Sequence, residues 1–197
     1  MKNYLFLLLC IFILSSCGED KAITPKPRSY PRIIFPERAY QQFDTNFCNF
    51  TFEYPKYAVI EQSKEYFGSP PPNSCWFNIV VPQFAAYIYC TYYPLGKENK
   101  FDKVVNDAFT FADQHTIKAD YIDELPINKP GHVSGMIFNI EGDVASSFQF
   151  YLTDSTKNFL RGALYIKAHT NQDSLAPVIN FMKTDVMQMI NTFKWKK

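Results

Sequence analysis

The sequence predicts an α+β fold: an antiparallel sheet of about six strands packed by two helices. Three observations predict it. Short runs alternate bulky apolar and polar residues, as in Phe50-Thr51-Phe52-Glu53-Tyr54, the period of two expected of a half-buried strand. Two longer stretches repeat apolar residues three and four apart, the signature of a helix lying on a core. The elements also come in the order strands, helix, strands, helix, which places helices against an antiparallel sheet.

The chain begins Met1-Lys2-Asn3 and then runs apolar through residues 4–14. That run is about half of the roughly 20 residues needed to span a bilayer. A basic start, a short apolar core and small residues before a boundary are the layout of an export signal. The boundary reads Leu14-Ser15-Ser16-Cys17, which matches the bacterial lipobox, so residues 1–16 are read as a lipoprotein signal peptide. The lipobox chemistry requires a thiol, because a diacylglycerol is attached through a thioether before cleavage. Cys17 is therefore the expected lipidation site and the first residue of the mature protein. Each buried CH₂ of an acyl chain contributes about 0.8 kcal/mol, so two or three chains hold a protein firmly to a membrane it does not cross.

Residues 17–32 are polar and broken by Pro25, Pro27 and Pro31. Proline-rich chain extends about 3.1 Å per residue, and this stretch reads as a flexible lipid-anchored tether. Gly18 follows Cys17 where an inner-membrane retention signal would place Asp. The expected location is the cell envelope at the outer membrane, with the domain on the periplasmic leaflet or the cell surface.

Residues 33–197 are expected to form a single globular domain. Pro55 closes the first strand, and Gly68-Ser69-Pro70-Pro71-Pro72-Asn73 can only be a loop. Strands are expected at 75–81 and 85–92, joined as an antiparallel hairpin through Pro82-Gln83-Phe84. Phe101, Val104, Val105, Ala108 and Ala112 then mark a helix whose first amides Asn99 or Asp102 can serve. A polar connection over 120–131 leads to strands at 132–140, 145–152 and 159–167. The last element is a helix capped by Asp173, with Pro177 in its first turn. Its apolar stripe runs from Leu175 to Phe193, and Lys194, Lys196 and Lys197 sit where positive charge suits a helix C-terminus.

Composition excludes several functions. The chain carries a net charge of +1, and removing the signal takes only Lys2, leaving acids and bases equal. Nothing in this balance favours nucleic acid. Aromatic residues make up 17%, which points away from disorder. Cys48 and Cys75 each open a strand-like segment and are the candidate disulfide, although the residues alone leave the pairing open. Cys90 lies in the apolar run Tyr87-Ile88-Tyr89-Cys90 and reads as a free buried thiol. His115, His132 and His169 lack second ligands at metal spacing, and Asp120, Asp123 and Glu124 read as a solvated cluster. No glycine-rich phosphate loop or serine elbow occurs among the seven glycines. No catalytic residue, cofactor or metal is expected, and the protein is read as not an enzyme.

The aromatic run Tyr87, Tyr89, Tyr92 and Tyr93 is explained by sheet packing, since tyrosine is a good strand former. Its alternative reading is a face that binds a glycan or peptidoglycan fragment. A pocket with converging polar groups would favour that reading, and a filled flat face would oppose it.

Several runs carry a family resemblance. Tyr30-Pro31-Arg32-Ile33 and Pro36-Glu37-Arg38-Ala39-Tyr40 follow the lipobox and tether. Further along stand Phe52-Glu53-Tyr54-Pro55-Lys56-Tyr57-Ala58, Cys75-Trp76-Phe77-Asn78-Ile79 and His115-Thr116-Ile117-Lys118-Ala119-Asp120. The later runs are Gln149-Phe150-Tyr151-Leu152-Thr153-Asp154, Phe159-Leu160-Arg161-Gly162-Ala163-Leu164-Tyr165, Asp173-Ser174-Leu175-Ala176-Pro177-Val178 and Thr192-Phe193-Lys194-Trp195-Lys196. Together they make the whole mature chain resemble the gliding motility lipoprotein GldD family of Bacteroidota. The departures are the Pro70-Pro71-Pro72 loop and Asn49, where the family pattern has proline. The resemblance implies a lipid-anchored accessory of the surface-gliding apparatus and its coupled type IX protein secretion. Its implied partners are the membrane, other gliding-motility lipoproteins and type IX secretion components, met through protein contacts at exposed sheet faces or at residues 70–72 and 120–130. The order of elements is also similar to the Mog1/PsbP-like sandwich, as an analogy of fold.

Overall fold

Alternation of bulky and polar side chains folds most of the chain into strands. The computed structural model describes residues 32–65, 68–167 and 172–196. In chain order come β1 (Tyr40–Asp44), β2 (Phe50–Pro55), β3 (Val59–Gln62), β4 (Phe77–Val81) and β5 (Ala86–Pro94). Helix α1 (Phe101–Asp113) follows, then β6 (Ala119–Lys129), β7 (Val133–Gly142), β8 (Phe148–Thr153) and β9 (Asn158–Ile166). Helix α2 (Gln172–Thr192) and the short β10 (Lys194–Trp195) complete the chain. The fold is α+β with two helices among the described residues. The strands form two sheets, however, where one of about six strands was expected: a seven-stranded sheet in the order β3-β4-β5-β9-β8-β7-β6 and a three-stranded sheet in the order β1-β2-β10. Every pairing between these strands is antiparallel.

The large sheet has two different faces because its strands obey the period of two. On one face lie Phe77, Ile79, Ile88, Phe150, Leu152, Leu160 and Leu164, all nearly inaccessible to water. They meet the small sheet and the apolar stripe of α2 (Met182, Val186, Met189, Ile190). Phe43 stands at the junction, its ring centroid 4.5 Å from Phe52 and 5.0 Å from Phe77. Full burial of such a side chain contributes about 1.5–3 kcal/mol. The packing leaves no room at Gly162, where a methyl group would overlap the Phe150 ring.

Helix α1 covers only part of the opposite face. Val104, Ala108 and Ala112 rest on Phe138, Ile140, Tyr151 and Phe159 of β7, β8 and β9. Over the rest of that face, on β4, β5 and part of β9, no helix lies among the described residues.

Several local expectations need correction. Residues 120–131 are not a connection, because most of them form β6, paired along its length with β7. Only Ile127 of β6 is buried, so the apolar alternation is faint, and Pro126 is tolerated because β6 is the sheet's edge. No side-chain cap hydrogen bond starts α1, whose cap is Lys100; Asn99 donates instead to the Pro94 carbonyl at 3.1 Å. Helix α2 begins at Gln172, one residue before the expected cap, and the side chain of Asp173 lies outside the described residues. Lys194 and Lys196 do not close α2 either, and Lys197 lies outside the described residues. Lys129 of β6 donates to the Ile190 and Asn191 carbonyls, while Lys194 belongs to β10 and Lys196 pairs with Asp44 at 2.7 Å.

One carboxylate fastens the start of the domain to α2. The side chain of Asp185 is fully buried and sits 3.4 Å from the Arg38 guanidinium. It accepts the Tyr40 hydroxyl at 3.0 Å and the Tyr57 hydroxyl. Arg38 also lies 4.2 Å over the Phe181 ring. Burial, then the hydrogen bond to Asp185, pushes Tyr40 up to about 12 and moves Tyr57 in the same direction. Both phenols therefore remain protonated donors at neutral pH.

Candidate functional site

The uncovered part of the large sheet forms the floor of a groove of about 800 Å³. Alternation decides which side chains reach it. On β8, Phe148, Phe150 and Leu152 enter the core, so Gln149 points the other way; on β9, Leu160 and Leu164 enter the core, so Arg161, Ala163 and Tyr165 face the groove. Thr91, Tyr89 and Tyr93 of β5 complete the floor beside Asn78 of β4. Phe111 and His115, at the end of α1 and just beyond it, form one wall.

The polar centre of the groove is a pair. Arg161 donates to Gln149 Oε1 at 2.6 Å and lies 4.5 Å over the Phe111 ring. Gln149 is 1% exposed. His115 titrates below its usual value because it is partly buried and because Arg161 is close. It is therefore neutral at pH 7 and offers one donor and one acceptor.

The four tyrosines singled out in the sequence divide between the two faces. Tyr92 turns inward, packs on Phe50 at 5.8 Å and donates to Asn158 Oδ1 at 2.5 Å. Tyr87, Tyr89 and Tyr93 turn outward, and of these Tyr89 and Tyr93 line the groove. Tyr89 meets Tyr165 edge-on at 5.3 Å and Tyr93 meets Trp76 edge-on at 5.4 Å. Tyr87 stacks on Tyr89 at 5.8 Å and carries the Lys167 ammonium 4.1 Å above its ring. Sequence reasoning missed Gln149 and Arg161. The available signal was one polar residue inside each of two otherwise apolar runs, Phe148-Gln149-Phe150 and Leu160-Arg161-Gly162.

The remaining candidates do not converge on this groove. Cys17 and His169 lie outside the described residues. Cys48 and Cys75 are joined as a disulfide with Cα atoms 5.3 Å apart, tying the turn before β2 to the start of β4. Cys90 is a free buried thiol, and burial alone pushes its titration far above the normal range. His132 stands exposed in the turn between β6 and β7 with φ of 59°. Asp120, Asp123 and Glu124 lie along β6. Among the described residues no three His, Cys, Asp or Glu side chains gather where a metal ion could be held. Nor, among them, is any helix long and apolar enough to cross a membrane.

Comparison with known families supplies what the geometry does not. A family described as gliding motility lipoprotein GldD matches residues 20–195, most of the 197-residue chain. The chain belongs to the GldD family of gliding motility lipoproteins. No curated protein matches it. Among solved structures, the solution structure of cyanobacterial PsbP (CyanoP) from Synechocystis sp. PCC 6803 is similar over 81% of this chain and 94% of that one, with 11% identity and a TM-score of 0.47. No part of that protein's role is carried over to this GldD-family chain.

Proposed function

We propose that this GldD-family lipoprotein is a non-enzymatic accessory of the gliding motility and type IX secretion machinery. It is held at the outer membrane through lipid on Cys17 and works through protein contacts. The observation that carries the reading is the family match over residues 20–195, and the lipobox before Cys17 supports the anchor. The edge strand β6 supports the contact role. Among the described residues it is one of the two edges of the large sheet and presents Tyr121 and Leu125 at 55% and 52% exposure, with Ile117 at 90% just before it. Unpaired strand edges and exposed apolar side chains are surfaces that proteins use for partners.

Deletion of the gene is expected to abolish spreading on agar and the export of surface adhesins. Normal gliding in a clean deletion would overturn the proposal. Photo-crosslinking groups placed at Tyr121 and Leu125 in living cells are expected to capture a component of the machinery. A group at Val59, on the opposite sheet edge, is not. Equal capture from both edges would remove β6 as the contact surface.

A further inference from the structure

We infer that the end of the domain where the chain enters lies on the lipid bilayer itself, with Ile34 and Val59 set among the headgroups. The inference rests on the lipid proposed at Cys17. Its first support is the way Ile34 is held. Ile33 and Phe35, on either side of it, pack against the core, and Phe35 stacks on Phe181 at 4.6 Å and meets Phe84 at 5.5 Å. Ile34 is left outside at 72% exposure, while its carbonyl accepts the Gln83 amide at 2.7 Å. An aliphatic side chain is thus fixed toward the surroundings. Its backbone carbonyl is already paired, so contact with lipid strands no acceptor there.

The second support is Val59, which belongs to the same end. It opens β3 opposite Val80, near the end of β4, and the chain then turns through Pro82 to Gln83, the residue that holds Ile34. Val59 is 52% exposed. The turn before β3 is joined to the entering chain by the Lys56 amide, which donates to the Ala39 carbonyl at 2.8 Å. Arg32, just before Ile34 in the sequence, and Lys56, just before Val59, are both exposed. Such side chains lay their stems beside apolar groups and carry the charge to phosphate level. Glu37 and Glu61 are exposed as well and limit the contact to the headgroup region.

The third support separates a bilayer from a protein partner. Lipid on Cys17 leaves only residues 18–32 between the membrane and Ile33. A chain of that length reaches roughly 50 Å when fully extended. Ile34 and Val59 therefore meet the bilayer at a local concentration on the order of millimolar, at which a weak contact suffices. Charge sets the orientation. At the opposite edge of the large sheet, β6 carries exposed Asp120, Asp123 and Glu124, and its one lysine, Lys129, is engaged by the α2 carbonyls. Anionic headgroups attract Arg32 and Lys56 and repel that edge, which leaves β6 open to the partner contacts proposed above.

The test reconstitutes the full lipidated chain into vesicles of phosphatidylethanolamine and phosphatidylglycerol that contain a nitroxide-labelled lipid as quencher. A fluorophore is attached to Ile34→Cys, Val59→Cys or Leu125→Cys. Cys48 and Cys75 are bonded to each other and Cys90 is buried, so the introduced thiol is the one that reacts. Emission from the first two is expected to fall about twofold, as for groups some 5–10 Å into the headgroup boundary, and emission from Leu125→Cys to stay unchanged. Flotation with the vesicles checks the anchor separately: a chain that fails to float removes the lipid at Cys17 and the inference with it. A floating chain whose labels at Ile34 and Val59 escape quenching, or whose label at Leu125 is quenched equally, overturns the inference and leaves the anchor standing. So does a photo-crosslinking group at Ile34 that captures a single protein in living cells instead of lipid.

Discussion

Removal of the Cys48–Cys75 bridge is the perturbation whose size follows most directly from the structure. The bond closes a loop with a sequence separation of 27 residues that contains β2 and β3. In the chain-entropy account, a loop of that length stabilises the fold by about 3.5 kcal/mol at 25 °C, by restricting the unfolded chain. Cys48→Ala/Cys75→Ala is therefore expected to lose about that much in urea unfolding, and to melt roughly 10 °C lower for a domain of this size. The dependence on urea should also steepen, because the released loop lets the unfolded chain expand. Without reductant, unfolding should expose the Cys90 thiol to maleimide and neither of the other two. An unchanged urea midpoint and slope in the double variant would refute the reasoning. It would mean that the stack of Phe43 on Phe52 and Phe77 holds the two sheets together without help.

Asp185→Asn should destabilise the domain by roughly 3 kcal/mol, because a buried charge paired with Arg38 and two tyrosine hydroxyls is replaced by an amide; urea unfolding at neutral pH measures it. Asp154 gives a pH signature. Burial opposes its charge, but N–H donors from Lys157, Thr156 and Asn158 outweigh burial and hold the carboxyl down to about 2. Its stabilising contribution is thus complete above the unfolded value of about 4 and is lost as pH falls toward 2. The stability gap between Asp154→Asn and the parent should close over that window, and a gap independent of pH would count against it. Gly162→Ala should cost about 1–3 kcal/mol by forcing the Phe150 ring aside, as read from the urea midpoint.

How far the fold could be read from the sequence depended on how many faces each strand buries. β2 and β4 were legible because Phe50, Phe52, Phe77 and Ile79 alternate or cluster and are fully buried. β1 was missed, since in Tyr40-Gln41-Gln42-Phe43-Asp44 only Phe43 is buried, and one buried residue has no period. β6 was read as a connection for the same reason, its single buried Ile127 being hidden among charges and Pro126. Lys194–Trp195 looked like the end of α2, yet its pairing with Thr51 and Phe50 is set by a strand more than a hundred residues away. No local pattern carries that. The groove was legible only in its tyrosines. Gln149 and Arg161 become neighbours through the register of β8 against β9, in which Gln149 opposes Ala163 and Tyr151 opposes Arg161, and that register appears only once the strands are paired.

The most direct measurement of the central claim uses a gliding strain whose sole copy of the gene carries Cys17→Ser, labelled with palmitate and scored for spreading on agar. Wild-type protein should take up the label and support spreading. The Cys17→Ser protein should take up none, leave the membrane fraction and fail to support spreading while still folded. Spreading at the wild-type rate by unlabelled protein in the soluble fraction would contradict a membrane-held role in motility.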